Sequence, residues 1–191
     1  MEEETLVINL KNRDKAAFRQ LVETYQVRVY NTVLSLVQHN EEAEDIAQEV
    51  FIEVYRSIEK FREDSTLSTW IYRIATTKSL ETIRKKKTQK RFAFITSLLG
   101  KNDELIHQPA DFEHPGVVAE NKELAQNLFV AIKELPDNQR IAYTLVNVEG
   151  LSYQETAEAM NITKSSVESL IFRSKRNLKK SLKTYYEELD K

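Results

Sequence analysis

Three glycines and three prolines are all that this chain of 191 residues contains. Proline removes an amide donor and glycine brings excess conformational freedom, so their scarcity predicts long, uninterrupted helices. An all-β fold, which needs a turn every few residues, is disfavoured by the same shortage. The apolar residues agree, recurring at three to four residues. Asp14 is a good N-cap and opens a helix to about His39, closed by Asn40. Its apolar face is Phe18, Leu21, Val22, Tyr25, Val29, Val33, Leu36 and Val37. A second helix over about 42–59 carries Ala43, Ile46, Ala47, Val50, Phe51, Val54, Tyr55 and Ile58. The loop FREDSTLS (61–68) leads into a third helix of about 68–87, with Trp70, Ile71, Ile74, Ala75 and Ile83 inward. Such wide apolar faces can bury a core of their own, and the spacing assigns Trp70 to it.

Residues 92–117 break this pattern with Gly100, Pro109, Pro115, Gly116 and two histidines. A poorly patterned stretch of that length reads as a linker between two units. Periodicity resumes at about 118 with Leu124, Leu128, Ile132 and Leu135. Pro136 stops that helix, Asp137 caps the next over about 137–148, and Gly150 ends it. The expected fold is all-α: an N-terminal helical domain over 1–91, a linker over 92–117, and a C-terminal four-helix domain over 118–191. Within the latter, SYQETAEAMNITKSSVESLIFRSKRNL (152–178) predicts a helix, a tight turn and a second helix. Ser152 and Glu155 form an S-x-x-E capping box. Ala157 and Met160 face inward, Asn161 suits a left-handed reversal, and Thr163 caps again. Val167, Ile171, Ser174 and Leu178 form the buried stripe of the second helix. This pattern matches the DNA-binding helix-turn-helix, whose second helix enters the major groove.

The formal net charge is only -2, but the charges are segregated. Glu41, Glu42, Glu44, Asp45, Glu49 and Glu53 make residues 40–64 acidic. RKKKTQKR (84–91) holds six cations and no carboxylate, as does the stretch from Arg173 to Lys183. Two cationic footprints on an acidic background suit contact with a polyanion at two places. No cysteine is present, and His39, His107 and His114 are scattered, so neither disulfides nor a metal site is expected. No nucleophile–base pair or phosphate-cradling glycine loop is evident, so no catalysis and no cofactor are expected. The acidic N-terminus lacks the features of a signal peptide, and no apolar run approaches the roughly 20 residues of a membrane span. A soluble, cytoplasmic protein without membrane insertion is the expectation.

Taken in order, EDIAQEVFIEVYRSIEKF (44–61), STLSTWIYRIA (65–75), ELPDNQR (134–140) and EGLSYQETAEAMNITKSSVESLIFRSKRNL (149–178) resemble the small bacterial sigma factors of the extracytoplasmic-function (ECF) group. The resemblance spans roughly residues 10–184. It implies a promoter-specificity subunit that binds core RNA polymerase, through the clamp helices of the largest subunit and the flap, together with promoter DNA. An anti-sigma factor is a further partner that it allows. The helix matching 44–61 would dock on the clamp helices through Asp45, Gln48, Glu49, Ile52 and Arg56, opposite its apolar stripe. A polar, acidic face around one exposed isoleucine suits a basic partner.

The same resemblance implies that residues 61–87 recognise the -10 element and hold the melted strand. Phe61, Arg62, Ser65 and Thr66 are candidates for gripping a flipped base, and Arg84, Lys85, Lys86 and Lys87 for phosphates. The C-terminal helix-turn-helix would read the -35 element through Lys164, Ser165, Ser166, Glu168, Ser169, Phe172, Arg173 and Arg176. The chain departs from its relatives at five places. Thr77 and Glu81 stand where Asn and Asp are frequent, and Glu63 replaces a common Gly. Glu168 and Leu170 stand where Lys and Arg are usual. Two other readings compete: a stand-alone helix-turn-helix regulator binding an operator as a homodimer, and a helical adaptor such as an anti-sigma antagonist. Such a regulator has no need of the 44–61 and 65–75 segments, and two basic patches argue against the adaptor.

Overall fold

The computed structural model describes the backbone of residues 3–98 and 122–189, and the side chains of 3–89 and 126–183. The described residues form helices throughout, with no strand: α1 (Glu3–Lys11), α2 (Lys15–Val37), α3 (Asn40–Ser57), α4 (Leu67–Leu98), α5 (Lys122–Lys133), α6 (Asp137–Tyr143), α7 (Tyr153–Met160) and α8 (Lys164–Leu189). A 3-10 turn over Ile58–Lys60 follows α3, and a π-helical turn over Thr144–Val148 prolongs α6.

Local chemistry sets most of these ends. Asp14 caps α2, accepting from the Ala17 amide at 2.8 Å. The close of α2 falls earlier than expected: Gln38 takes the left-handed conformation and donates its amide to the Leu34 carbonyl at 2.8 Å. His39 then stands at the N-cap of α3, and Asn40 opens that helix rather than ending α2. Helix α1 was not anticipated, yet Leu6, Val7 and Leu10 are buried on its inner face. Helix α4 runs on to Leu98, well into the expected linker, because neither Gly nor Pro occurs before Gly100. The rest of that linker, 99–117, lies outside the described residues. Asp137 does not cap α6. Pro136 holds the cap position, and the Asp137 carboxylate takes Arg140 at 3.1 Å and Lys87 at 2.7 Å.

The core extends across both units. Helices α2, α3 and α4 pack on one another, with Leu21, Val29, Val33, Val50, Val54 and Ile71 almost wholly buried between them. That cluster continues into Phe129, Ala131, Ile132 and Leu135 of the second unit, and to Leu178 of α8. A second cluster joins Leu36 of α2 and Tyr72 of α4 to Ile141, Leu145 and Ala159. The Gln38 side chain adds a buried hydrogen bond, donating to the Phe129 carbonyl at 2.7 Å. The first three helices do bury a core between them, and that core continues into the second unit, which the periodicity did not indicate. Residues 32–36 of α2 are buried on every side because the second unit covers what one apolar stripe would leave open.

Candidate nucleic-acid and polymerase interface

The helix-turn-helix is held by its own backbone. Ser152 Oγ accepts from the Glu155 amide at 3.2 Å and Glu155 Oε2 accepts from the Ser152 amide at 2.8 Å, closing the capping box. Hydrogen bonding from the Ser152 hydroxyl and amide holds the Glu155 carboxyl below its usual range. At the turn Asn161 has φ 54°. The Asn161 amide donates to Glu158 and the Ile162 amide to Ala157, the paired bonds of a Schellman motif. Thr163 caps α8 through the Ser166 amide at 3.2 Å. Val167, Ile171, Ser174 and Leu178 are all buried, so the opposite face of α8 is turned to solvent.

That outer face carries Lys164, Ser165, Ser166, Glu168, Ser169, Phe172, Arg173 and Arg176, all exposed. Phe172 is 69% exposed, more than any other large apolar side chain among the described residues. Ser166 is partly committed, since its hydroxyl also meets Thr163 Oγ1 at 2.8 Å. Arg173 Nε donates to the Ser169 carbonyl at 3.1 Å, which aims the guanidinium along the helix. Leu170 is half-buried against Ala142, Ala157, Val167 and Ile171, so it packs inward rather than standing in for an arginine.

On α3, the residues Asp45, Gln48, Glu49, Ile52 and Arg56 are likewise all exposed, on the side away from Val50 and Val54. Ile52 is 49% exposed amid acids. Glu49 is met by Lys78 of α4 at 3.7 Å, a loose pair that a partner's cation can replace. Tyr55, expected in the apolar stripe, is 41% exposed. Its ring packs edge-on to Phe18 at 5.1 Å and lies under the Arg13 guanidinium at 4.9 Å, so it finds partners on the rim of the core.

The loop between Lys60 and Leu67 divides its residues. Phe61 is buried and stacks, tilted, on Trp70 at 5.2 Å. This corrects its place among the base-gripping candidates: an aromatic ring already removed from water by Trp70 offers no open face to a base. Trp70 is half-buried there, as its spacing predicted. Arg62 is exposed and Ser65 half-exposed. Thr66 is the N-cap of α4, its Oγ1 accepting from the Thr69 amide at 3.2 Å and contacting the Ser68 and Thr69 hydroxyls at 2.9 Å. Glu63 has φ 64°, the left-handed conformation in which glycine is least strained. A glycine here, which the resemblance leads one to expect, would have a backbone reason.

Farther along α4, about 25 Å from Leu67 at 1.5 Å per residue, begins the cationic run. Arg84, Lys85, Lys86 and Lys87 are all exposed, as are Thr77 and Glu81. Lys86 pairs with Glu42 of α3, and Lys87 reaches across to Asp137 of α6 at 2.7 Å. Sequence periodicity missed one titratable group at the seam of the two units. The Glu149 carboxyl is pushed up to about 7 by burial, against the opposing pull of Thr32 and Arg28. One of its oxygens has no hydrogen-bond partner. Its position after a π-helical turn is a tertiary feature that periodicity cannot report.

Among the described residues no group of three or more His, Asp or Glu could hold a metal ion, and no helix is long and apolar enough to cross a membrane. Residues 21–89 match the family described as sigma-70 region 2, and residues 125–178 that described as sigma-70, region 4. The chain is 33% identical over 181 residues to the RNA polymerase sigma-H factor of Pseudomonas aeruginosa, covering 95% of this chain and 94% of that one. It is 31% identical over 175 residues to the ECF RNA polymerase sigma-E factor of Escherichia coli K12, covering 92% and 91%. Its fold is similar to that of CnrH, solved with the cytosolic domain of CnrY, at a TM-score of 0.69, 18% identity and coverage of 95% and 97%. It is also similar to that of RpoE of Bartonella quintana, solved with the anti-sigma factor NepR, at a TM-score of 0.63, 20% identity and coverage of 87% and 96%. The stand-alone regulator is not favoured, because a region 2 match accounts for the first unit. The chain belongs to the extracytoplasmic-function group of the sigma-70 family, the promoter-specificity subunits that bind core RNA polymerase and promoter DNA.

Proposed function

We propose that residues 1–91 dock on core polymerase and engage the -10 element, that 92–117 link the units, and that 118–191 read the -35 element. Asp45, Gln48, Glu49, Ile52 and Arg56 form the docking face, an exposed isoleucine ringed by polar groups that a partner can desolvate. Arg62 and Ser65 meet the -10 bases, Thr66 shapes the loop by capping α4, and Arg84 with Lys85, Lys86 and Lys87 tracks phosphates. Phe61 acts through Trp70, as a support beneath the loop. On α8, Lys164, Ser165, Glu168, Ser169 and Phe172 face the groove. Ser166 holds the helix start, while Arg173 and Arg176 hold the backbone. Glu168 accepts from a cytosine amine, and Phe172 meets a thymine methyl.

The subunit performs no chemistry of its own and works beside the polymerase in the cytoplasm. An anti-sigma factor, of the kind that NepR is to RpoE of Bartonella quintana, is a fitting partner. The observation that carries this reading is the solvent-facing set on α3, clear of the core while its neighbours Val50 and Val54 are fully buried.

The test is a promoter gel shift with and without core polymerase, repeated with Gln48→Lys and Glu49→Lys together. A specific shift only in the presence of core is expected, lost in the double variant while its circular dichroism is unchanged. Tight specific binding by the chain alone, with core adding nothing, would sink the promoter-specificity reading. Unchanged core affinity in the double variant would remove the docking assignment.

A further inference from the structure

Helix α1 lies outside the residues that match region 2. Its inner face is fixed, because Leu6, Val7 and Leu10 are buried in the main core. Its polar ends then reach the 61–66 loop from two sides. Glu3 Oε1 accepts from the Leu67 amide at 2.9 Å, at the exit of the loop. Lys11 Nζ lies 2.6 Å from Glu63 Oε1, in the middle of the loop. Just beyond α1, Arg13 donates to the Tyr55 carbonyl and pairs with Glu59 at 2.8 Å, in the turn that feeds the loop. A helix of nine residues is about 13 Å long, so a rigid strut holds these points at a set spacing.

The loop itself shows that something holds it. Glu63 is in the left-handed region at φ 64°, and a residue other than glycine keeps that conformation where its surroundings over-determine it. The Lys11 ammonium meets the Glu63 carboxylate there and offsets part of the strain. Arg62 precedes Glu63 and Ser65 follows it by two residues, so a rotation of the Glu63 backbone displaces one relative to the other. Small displacements of this kind are costly wherever a reacting or recognised group must be met at a fixed distance.

We propose that α1 is a positioning element for the -10 loop, with Glu3 and Lys11 tuning which -10 bases are accepted without touching DNA. This rests on the assignment of Arg62 and Ser65 to the -10 element above. The experiment is in vitro transcription by the full chain with core polymerase, from one recognised promoter and its single-base -10 variants. The readout is the ratio of output between them, with core affinity measured alongside.

Lys11→Glu is expected to change that ratio by about fivefold, within the range for residues that act through others, at unchanged core affinity. The charge swap Lys11→Glu with Glu63→Lys is expected to restore the ratio, and Glu3→Gln to shift it independently. A uniform fall in output at constant ratio would overturn the inference, since a merely structural brace would give that. Failure of the swap to restore the ratio would overturn it too. Arg62→Ala separates the two levels of the argument. A ratio that moves with Arg62→Ala but not with Lys11→Glu refutes the role of α1 alone. A ratio unmoved by Arg62→Ala and by Ser65→Ala refutes the loop assignment, and the inference falls with it.

Discussion

Glu63 holds a backbone conformation that suits glycine, and its carboxylate is held by a lysine in return. The left-handed conformation costs an ordinary residue about 1–2 kcal/mol, whereas an exposed ion pair returns about 0–1 kcal/mol. Glu63→Gly is therefore expected to raise unfolding stability by about 0.5–1 kcal/mol in a denaturant titration. A lower midpoint would show that the Lys11 pair outweighs the strain. Ser152 is the converse case, where side chain and backbone agree. Ser152→Ala removes one acceptor of the capping box and should cost about 1 kcal/mol in the same titration. Such local features were legible in the sequence, because a cap needs only residues three apart. Phe61 was not. An aromatic residue beside a polar loop fits a stacking platform or a core equally well, and its packing on Trp70 decides between them.

At the scale of elements, periodicity located the faces and caps located most of the starts. The ends depended on residues whose side chains serve more than one purpose. Gln38, not Asn40, closes α2, since its side chain gains a buried bond to Phe129 that a local rule cannot foresee. Helix α1 was legible in hindsight: Glu3 and Glu4 sit in its first turn, Lys11 in its last, and Leu6, Val7 and Leu10 on one side. The helix-turn-helix is the element on which local chemistry and packing agree most fully. Asn161→Gly should leave its stability nearly unchanged, while Asn161→Val should cost about 1–2 kcal/mol, because a β-branched residue is strained at φ 54°. Thermal melts of the two variants check this. A valine variant as stable as the glycine one would mean that the turn relaxes.

The whole molecule adds a titratable seam. Burial raises the Glu149 carboxyl from 4.5 to about 7, so the packed arrangement binds a proton that a separated one releases. For an acid raised by packing, protonation favours the packed state: the seam is strongest below about pH 4.5 and weakens as pH rises through about 7. Between pH 7 and pH 6 the packing equilibrium should tighten roughly fivefold by linkage. Energy transfer between dyes on α2 and α8 would report it. Glu149→Gln should abolish the pH dependence, and a response unchanged in that variant would assign the effect to another group. The sequence by itself determined an all-helical chain, the inward faces of its helices and the capped turn of its DNA-reading hairpin. Each of these follows from residues within four positions of one another. Only the tertiary structure decided that the units share a core, that Phe61 is buried on Trp70 rather than exposed, and that Glu3 and Lys11 of α1 meet the loop. Those depend on contacts between residues tens of positions apart, and helical periodicity gives the direction in which a side chain points without saying what it meets.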